Sequence, residues 1–208
     1  MGEAAGRVCT GFSNPYVAKY AAAGGNVTYT EGMALARGVS VSIDPEVSDD
    51  DTFYANNAVA EEETGEFIKG TAKLTVDGLK DAAAQFIFGL PASEEYAVTE
   101  TLKVKVNKYG AAAKPPYVGI GVIVRYKSAG VTSYVPTVLK KGRFKLPSTE
   151  AKTAEGTGAN WQTQDLEAAL MRDDSSNNDW KWEFAEQATE EAADNILRAF
   201  LSVAAVEG

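Results

Sequence analysis

The sequence predicts a mainly β protein, a β-sandwich or barrel with one helix inside the strand order and a second at the C-terminus. Three observations carry that expectation. Apolar residues recur at every second position in several separate stretches, the period of strands that bury one face. Only two stretches, around residues 79–87 and 189–204, repeat at helical spacing. Glycine, proline and short polar runs separate the periodic segments, as turns require.

In chain order, residues 1–26 are rich in Gly and Ala and read as an N-terminal arm ending in the turn signal Gly24-Gly25-Asn26. Residues 27–208 read as a single domain. It opens with a short strand over 27–30 and continues into a long hairpin over 33–77. On the first arm of that hairpin Met33, Leu35, Val39, Val41 and Ile43 share one parity; on the second, Ile68, Ala72, Leu74 and Val76 alternate with Phe67, Lys69, Thr71, Lys73 and Thr75. The connection, 44–66, is too long for a tight turn and lacks apolar periodicity, so it reads as a long, mobile hairpin loop.

Asp77-Gly78 then opens a helix with Leu79, Ala82, Ala83, Phe86 and Ile87 on one face, stopped by Gly89 and Pro91. Strands are expected over 98–106, over 118–126, where Val118, Ile120, Val122, Val124 and Tyr126 alternate most cleanly, and over 131–139 after the turn Ser128-Ala129-Gly130. Pro136 suggests an edge or a bulge in the last of these, and Phe144 to Leu146 start a further strand after Gly142. Residues 148–159 read as a flexible loop and 161–172 as a strand with Leu166, Ala168 and Leu170 inward. Trp180 and Trp182 share a strand parity suited to packing. The C-terminal helix, 189–204, presents Ala193, Ile196, Leu197, Phe200, Leu201 and Ala204 on one face, with Glu190, Glu191 and Asp194 at the positive end of its dipole.

Composition narrows the chemistry. The chain of 208 residues contains no histidine and one cysteine, Cys9. The commonest general base and metal ligand is therefore missing, as are thiolate zinc sites and any disulfide within the chain. No stretch approaches the roughly 20 apolar residues that span a bilayer, and no basic start followed by an apolar run marks a signal peptide. Neither a phosphate-binding glycine loop nor a repeat is present. Two carboxylates could in principle serve a hydrolase, but nothing singles out a pair. The expectation is a protein that is not an enzyme and holds no cofactor or metal.

Charge is distributed unevenly. The net charge of −9 falls entirely on residues 150–208, whereas 1–149 carry 16 acids and 16 bases. Residues 44–66 hold nine acids and no base; residues 101–149 hold ten bases and no acid. A pI near 4.7 argues against a phosphate-binding surface. Acidic and basic segments that meet their opposites on a neighbouring copy account for the pattern, as do solvated strand faces.

Taken in order, several segments resemble the major tail proteins of long-tailed phages, the phi13-type group. They are Ala34-Leu35-Ala36-Arg37-Gly38-Val39, Phe53-Tyr54-Ala55-Asn56, Leu74-Thr75-Val76-Asp77-Gly78-Leu79 and Ile87-Phe88-Gly89-Leu90. Tyr117-Val118-Gly119-Ile120-Gly121, Arg125-Tyr126, Trp161-Gln162-Thr163-Gln164, Met171-Arg172-Asp173-Asp174 and Ala188-Thr189-Glu190-Glu191-Ala192-Ala193 continue the series. The likeness runs over residues 11–204; residues 94–116 and those beyond Phe200 depart from the pattern.

The resemblance implies a β-sandwich of the phage tail tube type with a flanking helix. It further implies a virion protein, assembled in the host cytoplasm, whose hexameric rings stack into a hollow tail tube that conducts DNA. The implied partners are copies of the chain, the tape measure protein, the tail terminator and distal tail proteins; DNA passes without specific binding and no membrane is involved. The alternative class is a monomeric β-sandwich module that recognises carbohydrate or a surface partner through Trp and Tyr. In a tube, Asp49, Asp50 and Asp51 would form the acidic tip of the hairpin and reach the adjacent ring, with Lys140 and Lys141 as the first basic candidates there. These five are the candidate inter-ring contacts.

Overall fold

The structure is a computed structural model that describes residues 6–148, 153 and 162–204. Trp161 and nearly all of the loop read over 148–159 lie outside the described residues. The described residues form one large antiparallel sheet, two separate two-stranded ribbons and two helices. The sheet is built from β1 (Val8–Ala23), β2 (Asn26–Ala34), β3 (Gly38–Val47), β6 (Phe67–Val76), β9 (Val118–Ser128), β10 (Val131–Phe144), β11 (Gln164–Met171) and β12 (Lys181–Glu183). Its order is β2-β1-β9-β10-β11-β6-β3, with the short β12 also pairing with β10.

The two end strands of that order, β2 and β3, are joined by residues 35–37 alone. Such a link spans at most about 15 Å at 3.8 Å per residue, so the sheet curls until its ends meet at this corner. Backbone bonds fasten it: Leu35 N–H donates to the Pro15 carbonyl (2.8 Å) and Asp77 N–H to the Arg37 carbonyl (3.0 Å). The Asp77 carboxylate accepts from Arg37 N–H (3.0 Å) and from Arg37 Nε (2.5 Å). That side-chain hydrogen bond from Arg37 holds the Asp77 carboxyl below the usual carboxylate range. Asp77, read as a helix opener, is the clamp on the corner.

Two cores result. Inside the curl, Val17, Leu74, Val76, Ile120, Leu139, Phe144 and Leu170 pack with Ile87 and Phe88 of α1 (Asp81–Phe88). Outside it, Tyr16, Ala18, Tyr29, Ile123 and Val138 pack beneath Ala193, Leu197 and Leu201 of the segment bearing α2 (Glu190–Phe200). β9 lies between the two and is buried continuously from Val118 to Ile123. Gly119 and Gly121 allow this: a Cβ on Gly119 would stand 2.4 Å from the Tyr29 ring, and one on Gly121 2.6 Å from Leu201 Cδ1. The glycine face of β9 thus lies against Tyr29, Leu197 of α2 and Leu201. Thr189 caps α2 by accepting from Ala192 N–H (3.2 Å), and Asp194 ties it to β1 by accepting from Tyr16 OH (2.8 Å).

Several expectations are corrected by the pairing. The N-terminal arm is a strand from Val8 to Ala23 that lies inside the sheet between β2 and β9. Its turn-like residues sit at register shifts, between Cys9 and Gly11 and between Ser13 and Tyr16, where a strand tolerates Gly, Asn and Pro. The first hairpin arm divides, because Met33 belongs to β2 while Val41 and Ile43 belong to β3; a register shift between Gly38 and Ser40 turns Val39 outward. On β6, a shift between Val47↔Phe67 and Glu46↔Lys69 buries Phe67 and exposes Ile68, the reverse of simple alternation. α1 buries Ala83, Ala84, Ile87 and Phe88, one residue round from the expected face.

β10 runs unbroken through Gly142 to Phe144, so no new strand begins there. Pro136 is on neither an edge strand nor a register shift. It lies inside the sheet where β12 ends, and its carbonyl accepts from Phe184 N–H (2.9 Å). The segment 98–106 contributes only β8 (Lys103–Val106), which pairs with β7 (Glu94–Ala97) in a ribbon off the main sheet. Leu166, Ala168 and Leu170 point inward as expected, and α2 ends at Phe200, four residues short.

The close approach of α2 to β9 yields the first test. Gly121→Val is expected to lower stability by about 1–3 kcal/mol through overpacking, read as a lower urea midpoint with an unchanged slope.

Candidate assembly surface

The acidic connection 44–66 is mostly ordered strand. β3 continues to Val47, and β4 (Asp51–Ala55) pairs with β5 (Ala58–Glu63) in a ribbon that leaves the main sheet. Asn56 and Asn57 form its turn, both with positive φ (53° and 63°), as a two-residue hairpin of the twist-compatible type demands. The projecting tip is therefore Asn56-Asn57, and Asp49, Asp50 and Asp51 stand at the base of the ribbon. Here the expectation of an acidic tip is corrected. The missed signal is Asn-Asn between two short runs of strand-forming residues.

The base is fastened to the body. Asp50 Oδ1 accepts from Gly65 N–H (2.7 Å), Ser48 Oγ from Glu66 N–H (2.9 Å), and Ser48 N–H donates to the Glu66 carbonyl (2.8 Å). Arg172 donates to the Phe67 carbonyl (2.6 Å) and to Glu66 Oε2 (2.7 Å). Behind it Phe67 stacks on Trp180, ring centroids 4.6 Å apart. Asp49 and Asp51 line a shallow groove of about 440 Å³ with Glu63, Glu66 and Arg172.

Lys140 and Lys141 do not form an exposed basic patch. Lys140 is buried, with Nζ 3.3 Å from Asp173 Oδ2 and 3.5 Å from the centroid of the Trp182 ring. Tyr29 and Phe200 complete the aromatic wall, and Tyr29 OH donates to the Lys140 carbonyl (2.8 Å). Asp173 Oδ1 accepts from both the backbone N–H and the hydroxyl of Ser175, whereas Oδ2 accepts no aligned hydrogen bond. Lys141 Nζ pairs with Asp174 Oδ2 (2.7 Å) and lies over Tyr20 and Tyr117. The Lys-Lys dipeptide of β10 thus meets the Asp-Asp dipeptide after β11, within one subunit. Both lysines, expected to face an adjacent ring, are instead paired within the chain.

Ordinary surface remains unpartnered on both ribbons. Phe53, Tyr54 and Val59 on the first are exposed, and so are Tyr96, Val98, Leu102 and Val104 on or beside the second. A two-stranded ribbon alone is marginal in water, and exposed aromatic residues on one mark a contact surface. Among the described residues no group of three or more Cys, Asp and Glu side chains is placed to hold a metal ion. No helix among them is long and apolar enough to cross a membrane. Protein-family models and curated protein sequences yield no match to the chain.

The buried pair and its neighbours generate two expectations. Lys140→Met alone strands the Asp173 carboxylate and should cost about 3–5 kcal/mol; Lys140→Met with Asp173→Asn should recover most of it. Thermal unfolding of the two variants measures the difference. At alkaline pH, burial pushes the Tyr20 phenol up to about 12, and pushes Tyr29 further still. A phenol that keeps its proton more tightly when folded stabilises fully below the unfolded value of about 10, and that contribution disappears as pH rises towards 12. Tyr20→Phe should therefore flatten the fall in stability over that interval, seen in denaturant midpoints against pH.

Proposed function

We propose that the chain is the subunit of a phage tail tube, a structural virion protein that forms hexameric rings stacked into a conduit for DNA. The observation that carries this reading is the pair of ribbons standing off the sheet with Phe53, Tyr54, Tyr96 and Val104 in solvent. A subunit that keeps such surface uncovered is suited to lose it on assembly, and a head-to-tail contact between copies grows into rings or filaments. The ordered series of segments that resembles the major tail proteins supports the same reading, as does the curled antiparallel sheet with helices against it.

On this reading the chain is not an enzyme. Its partners are its own copies, with the tape measure protein, tail terminator and distal tail proteins at the ends and inside of the tube. It acts in the virion tail after assembly in the host cytoplasm. The DNA in the lumen is guided without sequence-specific contact. Negative-stain microscopy of the concentrated protein tests the proposal. Hollow tubes or six-membered rings are expected; a protein that sediments as a monomer at all concentrations, with no tubes, would overturn it.

A further inference from the structure

The β4–β5 ribbon is an unpartnered two-stranded sheet whose two faces differ. Residues opposite one another across the strands share a face, and the pairs Asp51↔Glu63, Phe53↔Glu61 and Ala55↔Ala58 place three carboxylates around one exposed phenylalanine. Asp51 and Glu63 are directly opposed like charges, an arrangement that disfavours the ribbon in isolation. None of Asp51, Glu61 and Glu63 has an ion-pair partner among the described residues; the nearby cations Lys69 and Arg172 are engaged by Glu46 and Glu66. The ribbon is held at its base, yet its acidic face meets no counter-charge among the described residues.

The β7–β8 ribbon has the opposite character on one face. Its pairs Glu95↔Lys105 and Ala97↔Lys103 put two lysines, one glutamate and one alanine on that face, a net positive charge, and among the described residues neither lysine is held in an ion pair. Lys108, by contrast, is paired with Glu94. All four of these face residues are exposed.

We propose that the acidic face of the β4–β5 ribbon docks on the Lys103 and Lys105 face of the β7–β8 ribbon of a neighbouring copy. This inference rests on the self-assembly reading above and names the surfaces that carry it. Phe53 lies against the aliphatic stems of Lys103 and Lys105 over Ala97, with the two ammonium groups reaching Asp51, Glu61 and Glu63. The contact joins different surfaces of the two copies, so it propagates from copy to copy.

Charge reversal tests it. Glu61→Lys with Glu63→Lys, and separately Lys103→Glu with Lys105→Glu, change only ribbon residues off the main sheet; Lys105→Glu sets a like charge opposite Glu95 within its ribbon but leaves the main sheet untouched, so both variants should keep the wild-type melting transition. Each should raise the protein concentration needed for assembly by about tenfold or more at low salt. The four changes together, or an equimolar mixture of the two paired variants, should restore assembly. Either paired variant assembling at the wild-type concentration, or no restoration in both the combined variant and the mixture, would overturn the ribbon pairing while leaving the self-assembly reading intact. Wild-type protein that never assembles overturns that reading, and the pairing falls with it.

Discussion

Burial of β9 on both faces is the constraint on which the rest of the structure depends. A strand covered on one side alternates apolar with polar; one covered on both must either carry two bulky faces or let one covering element come very close. β9 takes the second course. Val118, Ile120 and Val122 are buried on a strand whose glycines, Gly119 and Gly121, leave room for Tyr29 and Leu201 on the helix side. This fixes where α2 lies, and α2 in turn covers Tyr16 and Tyr29, which hold β1 and β2 in place. The N-terminal strand, the C-terminal helix and the centre of the sheet are thereby one packing unit, though they are far apart in sequence.

The alternation that announces a β protein was legible because it depends on local periodicity alone. Its failures mark places where the chain departs from a regular ladder. Ile68 and Phe67 exchange faces because of one register shift, and Val39 turns outward because of another. A shift of one residue inverts every side chain beyond it, and nothing in the composition of β6 records where the shift falls. The N-terminal strand was illegible for a related reason. The arm read as Gly- and Ala-rich, and only the pairing with β9 reveals a continuous strand in which Gly11, Asn14 and Pro15 sit at or beside register shifts.

The charge pattern was legible as a total and not as a partnership. An acid-free basic stretch and an acid-rich C-terminal quarter do attract one another, but much of that attraction is spent inside the subunit: Lys140 with Asp173, Lys141 with Asp174, Lys145 with Glu167. A sequence counts charges, whereas a fold decides which are desolvated. Lys140 illustrates the difference. Its ammonium lies among Trp182, Tyr29 and Phe200, so its removal from water is offset by aromatic faces and one carboxylate. Such a pair ties β10 to the segment that follows β11, under the Trp182 ring of β12, and contributes nothing to the outer surface.

What the interior uses up, the ribbons leave over. The main sheet closes its corner, fills two cores and pairs its buried charge, while β4–β5 and β7–β8 retain exposed rings and, on β4–β5, opposed carboxylates. Ribbons of this kind gain little from their own two strands. The shift between Phe53 and Tyr54 and the Asn56-Asn57 turn nonetheless hold the first ribbon in one register. Order without burial is costly in conformational entropy, and a chain that sustains it through a fastened base, as Arg172, Asp50 and Ser48 do here, keeps a surface ready for a partner at little further ordering cost. The fastened base, and not the uncharged Asn56-Asn57 tip, is what would serve the contact between copies proposed above.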